Sequence, residues 1–465
     1  MHRPFAAGLV GLVFTSPAAL AAAPSAAPPV AACPAEATGS RPFAFHLAGN
    51  RAGHHVECRL PDGSSLYLFE FNDRGRGPSV RSRITLDGAG IPTELTVDGN
   101  DYLKNAVSER FAMAEGRASW TNKVEKGEKA VPGPAFYLSQ SGTPAETALL
   151  ARAALAAPGG TLALLPSGEA RVVALDQRKV QQGTESRDVR LYAIYGLGYQ
   201  PTTVWLDADG DLFASLDSWV SLIPMGWEPV AAELLAMQEA RLTALRQAQA
   251  SRLARRPDGP LLIEHANLFD AEARAMRPGT SVLVEGNLIR AVGPDGSIAA
   301  PAGAVRIDAA GRALLPGLWD MHSHPEPADG LLLLAAGVTG VRDMAAEPAK
   351  RERMRTWDGE TLGPRIAFAG IMDGPGPFQG PTRVLVADEA AARSAVDAMA
   401  DAGFILVKVY SSVKPELVPF IVDEAEKRGL RVGGHVPAGM TAERAVRAGY
   451  DEIQHMNMVF LNFMF

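Results

Sequence analysis

From Leu314 to Gln454 the chain alternates short apolar segments with amphipathic ones, and this alternation restricts the possible fold more than any other feature. Strand-like segments lie near Leu314 to Met321, Val338 to Arg342, Arg365 to Ile371, Phe404 to Tyr410, Leu430 to Gly434 and Asp451 to Gln454. Helical spacing fills the intervals Asp329 to Ala336, Pro348 to Trp357, Asp388 to Ala402, Pro415 to Arg428 and Thr441 to Ala448. Asp388 and Thr441 are placed as N-caps, and Gly403, Gly429 and Gly449 stand where helices should close. Repeated βα units build a parallel barrel or an open α/β sheet. Four of the predicted strands end in residues able to bind or bridge a metal: His322 and His324, Lys408, His435, and His455. The C-terminal strand ends form the active-site face of a (β/α) barrel, so this placement favours a partial TIM-type barrel over residues 314–465.

Residues two apart in a strand face the same way, so His322 and His324 would present two imidazoles to one ion. A bare His-x-His is weak by itself; its place at the end of the first barrel strand is what gives it weight. Lys408 lies in the apolar run Phe404-Ile-Leu-Val-Lys-Val-Tyr, where an unpaired ammonium would cost several kcal/mol or be forced neutral. Two readings follow: an ion pair with a barrel carboxylate, or a neutral amine that captures carbon dioxide as a metal-bridging carbamate. His435 and His455 taken singly would read as core histidines. Together with His322 and His324 they are four of nine histidines, all at matching strand ends, which core packing does not explain.

In Leu315-Pro-Gly-Leu-Trp-Asp-Met-His-Ser-His324, Val407-Lys-Val409, Gly434-His435 and Gln454-His455 the sequence resembles the amidohydrolase superfamily, in its prolidase-like and imidazolonepropionase-like branch. The resemblance runs from about Pro260 to Phe465. It implies two divalent metal ions, one held by His322 and His324 and the other by His435 and His455, with Lys408 carbamylated by CO2 and bridging them. Zinc suits such ligands, although spacing does not separate it from manganese or iron. The implied reaction is attack of a metal-bound hydroxide on a polarised carbonyl. Family members also carry an aspartate at the end of an eighth strand; no residue here matches it, and Asp343, after the second strand, is not a substitute on position alone. The expectation is therefore a barrel truncated after its sixth strand, open at its edges and prone to self-association through apolar residues such as Phe460, Phe463 and Phe465.

At 465 residues more than one domain is expected, since single cores stop growing near roughly 250–300 residues. The formal charge of −7 is scattered, which argues against nucleic acid as a partner. Residues 1–23 read as a secretory signal peptide, because their apolar core is far shorter than the roughly 20 residues of a spanning helix; no transmembrane segment is expected in the mature chain. Residues 24–41 read as a leader. Cys33 and Cys58 are the only cysteines, and a secreted or periplasmic location would let them pair as a disulfide. In the alternative, Val30-Ala-Ala-Cys33 is a lipoprotein box that would anchor the protein through Cys33.

Residues 42–226 alternate in the manner of strands and hairpins, with one helix from Pro144 to Ala156, and make a β-rich α+β domain. Within it, Asp207-Ala-Asp-Gly-Asp211 reads as a hairpin turn rather than a calcium loop, Gly196-Leu-Gly198 as a bend, and His54-His55 as surface loop residues. Residues 227–257 have the apolar spacing of a connector helix, and residues 258–313 contain three strand signals of a small β unit. The loop from Met372 to Pro381 follows the third barrel strand and reads equally as a substrate-facing loop or an inert turn. Tyr410 is a candidate hydrogen-bond donor to a substrate carbonyl. The function expected is a hydrolase of C–N bonds in peptides or small-molecule amides. The alternatives are an ester or lactone hydrolase of the same superfamily, or a non-catalytic envelope binding protein.

Overall fold

A computed structural model describes residues 27–354, 361–376, 379–380 and 382–460; residues 1–23, read above as a signal peptide, and Phe463 and Phe465 lie outside them. The chain divides into two compact units, with the boundary between Gln238 and Glu239, inside the helix Ala231–Leu253.

The first unit is a fifteen-stranded sheet built from alternating sequences. In Ser79–Leu86, Val80, Ser82 and Ile84 are buried while Arg81 and Arg83 face water, and in Ala106–Ala114 the buried set is Val107, Glu109 and Phe111. Eight strands from Gly39–Leu47 to Lys126–Ala130 follow one another as antiparallel neighbours. Seven more run from Ala135–Tyr137 to Val220–Pro224, and the two sets join where Gly39–Leu47 pairs with Val220–Pro224. The edges of the sheet are therefore Lys126–Ala130 and Ala135–Tyr137, which are consecutive in the chain. Laid flat, the sheet would separate them by about 65 Å, whereas residues 131–134 span at most about 18 Å, so the sheet must curl back on itself. Helix Ala145–Ala156 packs within this curl: Ala148, Leu149, Leu150, Ala151, Ala153 and Ala154 are all buried, in one core with Phe43, Leu95, Phe136 and Ile194. A helix that is apolar all round needs such an enclosed setting.

Several expectations meet their outcome here. Cys33 and Cys58 are joined in a disulfide, which leaves no Cys33 thiol for a lipid. Asp207 and Asp211 close the hairpin between Thr202–Asp207 and Leu212–Leu216 through Asp207 N to Asp211 O, as a turn should. His54 and His55, by contrast, are not loop residues. They lie in strand Asn50–Arg59 and are buried, because both faces of that strand are covered. His54 Nε2 accepts a hydrogen bond from Ala31 N, and the His55 ring packs among Phe43, Tyr67 and Phe69.

In the second unit, the small sheet has five strands where three were expected: Leu261–Asp270, Ala275–Glu285, Leu288–Pro294, Val305–Asp308 and Ala313–Leu314. Leu314 belongs to this sheet, paired with Leu268, and the first barrel strand begins only at Leu318. Pro316 lacks the N–H that would carry one strand through both sheets. From there six parallel strands stand side by side in chain order: Leu318–Ser323, Val338–Ala346, Arg365–Met372, Leu406–Val409, Arg431–Gly434 and Glu452–Ile453. Helices Gly330–Ala335, Pro348–Met354, Glu389–Asp401, Val418–Lys427 and Ala442–Arg447 connect them. Asp388 and Thr441 cap as the sequence implies, accepting from Ala391 N and Arg444 N.

The six-strand ladder ends at Leu318–Ser323 on one side and Glu452–Ile453 on the other. A flat sheet of this size would set those strands about 24 Å apart. Instead, His322 Nδ1 lies 2.6 Å from Gln454 Oε1, so the sheet is strongly curled and its end strands meet through side chains. On the edge strand Leu318 and Trp319 are each 54% exposed. Among the described residues no helix is long and apolar enough to cross a membrane.

A pH dependence of the first unit follows from Glu146, on the first turn of its buried helix and only 3% exposed. Its carboxyl accepts hydrogen bonds from Ser139 N, Ser139 Oγ and Thr143 N, but burial, helped by the neighbouring Glu109 charge, outweighs these donors and pushes it up to about 7. The folded state thus holds a proton that the unfolded chain releases near its ordinary value, and stability should fall as pH rises from about 4.5 to about 7. The loss should be about 3 kcal/mol, and Glu146→Gln should flatten it. Urea unfolding of both proteins at pH 5 and pH 8 checks this; equal slopes in the two would contradict it.

Candidate active site

The candidate site lies where the parallel strands end. His322 is inside the first strand and His324 one residue beyond it; Lys408 is within the fourth, His435 directly follows the fifth, and His455 is two residues past the sixth. Ring centroids lie 5.2 Å apart for His324 and His322, 4.7 Å for His322 and His455, and 4.9 Å for His455 and His435. The four imidazoles expected to act together are thus brought together in one chain of contacts. His455 adopts φ 67°, a left-handed conformation that disfavours a side chain by on the order of 1 kcal/mol.

Lys408 is 1% exposed. Among the described residues no carboxylate lies within ion-pair distance of its Nζ; the closest polar contact is His322 Nε2 at 3.4 Å. The ion-pair reading of this lysine is therefore not what the structure shows. Burial, reinforced by the charge of Arg342 and opposed by Asp343, pushes the amine down to about 8. Burial likewise pushes His322 down to about 4 and lowers His455, so both rings are neutral at pH 7 with a lone pair to offer.

Three further groups support these residues, a role that the sequence gives to none of them. Asp343 is fully buried with Oδ1 3.8 Å from His324 Nδ1 and Oδ2 2.9 Å from Lys350 Nζ, the latter an ion pair at an angle poor for hydrogen bonding. Burial would raise this carboxyl, but His324 and Lys350 hold it below the usual range. Ser411 Oγ lies 2.7 Å from His435 Nδ1. Buried Asp373 accepts hydrogen bonds from Gly374 N, Gly380 N and Ser412 N, and so fastens the loop after the third strand to the loop after the fourth. Pro377, Phe378 and Pro381 of that loop lie outside the described residues. The one available signal for Asp343 was a charged Arg-Asp pair in an otherwise apolar strand. Tyr410 stacks on His435 with centroids 4.0 Å apart, which gives its ring a packing role beside the imidazole.

Among the described residues no three His, Cys, Asp or Glu side chains are arranged together as the ligands of one ion. The chemistry of the donors does fit a divalent metal: four clustered imidazoles, at least two of them neutral, beside a buried amine without an anionic partner.

Gly434 shows how tightly the strands approach here. It has φ 127°, and a Cβ on it would sit 2.3 Å from Val409 O and 3.0 Å from Lys408 Cγ. Gly434→Ala should displace Lys408 and His435 and cost about 2 kcal/mol or more, measured by urea unfolding. A variant as stable as the parent would refute the close approach.

No protein-family model and no curated protein matches the sequence. Part of the chain is similar to solved structures. A prolidase complexed with N-methylphosphonate-L-proline aligns at 23% identity and TM-score 0.36, over 43% of this chain and 62% of that one. Bottromycin amidohydrolase aligns at 26% identity and TM-score 0.38, over 44% and 45%. A Xaa-Pro dipeptidase with bound methionine aligns at 20% identity and TM-score 0.35, over 44% and 65%. The chain thus spans less than two thirds of the length of each.

Proposed function

We propose that this chain is an amidohydrolase-like, metal-dependent hydrolase of C–N bonds in peptides or small amides, secreted or periplasmic, with its chemistry in the second unit. The observation that supports it is the buried Lys408 amine, with no carboxylate in ion-pair distance among the described residues, beside the four imidazoles at the strand ends. His322 and His324 would hold one divalent ion, His435 and His455 a second, and Lys408 as its carbamate would bridge them; zinc suits this set. When bound, such ions supply Lewis-acid polarisation of a carbonyl and activation of water.

The chain's own residues prepare for this. An amine lowered to about 8 is neutral in an appreciable fraction at pH 7. Its lone pair forms an N–C bond with CO2, and the proton it loses passes to solvent, leaving a carbamate anion. Asp343, with no exposure to substrate, holds His324 rather than moving a substrate proton. Asp373 fixes the loop at the rim, and Tyr410 walls the His435 side.

Zinc-supplemented protein in bicarbonate buffer should retain metal through desalting, at one ion per chain or more by elemental analysis. The double variant His322→Ala, His324→Ala should lose at least half of it, and Lys408→Met should lower metal and hydrolysis together. A panel of dipeptides, small amides, esters and lactones identifies the bond cleaved. Metal-free protein after supplementation would overturn the proposal.

A further inference from the structure

A chain of hydrogen bonds crosses the curled sheet from its second strand to its sixth and back to its first. Arg342 donates from Nε to Met321 O and from Nη1 to Glu452 Oε2. Glu452 Oε1, in turn, accepts from Gln454 Nε2 at 2.7 Å. The other end of that carboxamide, Gln454 Oε1, lies 2.6 Å from His322 Nδ1. Arg342 and Gln454 are both buried, so water does not compete freely for these groups.

The chemistry leaves one arrangement. A guanidinium only donates and a carboxylate only accepts, so Glu452 must receive from both neighbours. The amide NH2 therefore faces Glu452 and the amide oxygen faces the imidazole, and an oxygen can only accept. Hence Nδ1 of a neutral His322 must carry the proton. Its Nε2 is then a lone pair, and this is the nitrogen that lies 3.4 Å from Lys408 Nζ at the centre of the site.

We infer that Gln454 is a positioning residue that fixes His322 in its Nδ1–H tautomer and aims the Nε2 lone pair into the site, with Arg342 and Glu452 setting the sense of the relay. Its consequence for metal binding rests on the function proposed above; the tautomer itself does not. A glutamine suits this position because it must donate at one end and accept at the other. Glutamate there would set two carboxylates against each other across the Glu452 contact, and an apolar side chain would leave both Glu452 and His322 without a partner.

The test uses the full chain, metal-free, at pH 7.5, with nitrogen-15 NMR of the histidine rings assigned through His322→Gln. The parent should show the proton on Nδ1 of His322 in at least nine tenths of molecules. Gln454→Met should shift the majority to Nε2–H and weaken zinc binding about 10–100-fold, the range typical when a partner of a metal-ligating histidine is removed. Gln454→Glu should weaken zinc binding too. Combining it with Glu452→Gln exchanges the two side chains and reverses the relay. The carboxamide, now on the sixth strand beside Arg342, accepts from the guanidinium and donates to the carboxylate, which in turn accepts from Nδ1. That double variant should keep the Nδ1–H form, since a carboxylate at position 454 can only accept, and should recover zinc affinity to within about threefold of the parent, a rescue that loss of packing would not give.

An Nε2–H tautomer in the parent, or an unchanged tautomer in Gln454→Met, would overturn the inference even if zinc binds. The predicted tautomers without any zinc binding would leave the relay standing and refute the metal-site reading instead. If Gln454→Met does not fold, the paired Gln454→Glu and double variants decide alone: an Nε2–H tautomer in either, whose carboxylate at position 454 can only accept, counts against the relay.

Discussion

The Arg342 guanidinium is the interaction on which the second unit depends. One planar group on the second strand holds the backbone at Met321 in the first and the Glu452 carboxylate in the sixth. Strands at opposite ends of a six-strand ladder would otherwise lie far apart, so this reach across the interior both requires the curl and sustains it. Hydrogen bonds to charged groups contribute about 1.5–3 kcal/mol each where water is excluded. Without the curl His455 would not stand beside His322, nor Gln454 beside its ring, and the strand ends would carry separate histidines rather than a cluster.

The same curl explains why Lys408 lacks a counter-ion among the described residues. The inward-facing charges near it are Arg342, already engaged with Glu452, and Asp343, held by Lys350 and His324. Each nearby carboxylate is thus committed to another cation. What remains around Nζ is imidazole and aromatic surface, with His322 at 3.4 Å and the Tyr410 ring at 5.9 Å. An amine so placed is lowered by burial first and by the Arg342 charge in addition, and it becomes a weak base in a setting of neutral donors.

The order and direction of the barrel strands were legible in the sequence because βα alternation is local. The clustering of the four histidines was legible for the same reason, since strand ends of parallel units share one face. What the sequence hid depends on distance along the chain. Gln454 read only as the residue before a histidine, because its partner His322 is 132 residues away. Arg342 and Glu452, 110 residues apart, read as unrelated charges. His54 and His55 follow Arg51 and Gly53 and look solvated, yet a sheet that curls around a helix covers one face of their strand, and the segment containing Ala31 covers the other. The sequence pattern puts the start of the first barrel strand four residues early, since Leu314 is as apolar as Leu318 and only the break at Pro316 assigns it to the smaller sheet.

Buried ionisable groups in the two units carry different meanings, and the difference lies in their partners. Glu146 in the first unit is surrounded by donors from Ser139 and Thr143, so either protonation state has hydrogen bonds and its raised value registers as pH-dependent stability. Among the described residues Lys408 has no acceptor other than the His322 imidazole, so its burial brings no comparable hydrogen-bonded return. A folded chain selected for stability alone would satisfy such an amine or replace it with an apolar side chain of similar volume, which is often neutral or stabilising. An amine kept buried, lowered to about 8 and beside four imidazoles is better accounted for by the chemistry it makes available than by the fold it sits in.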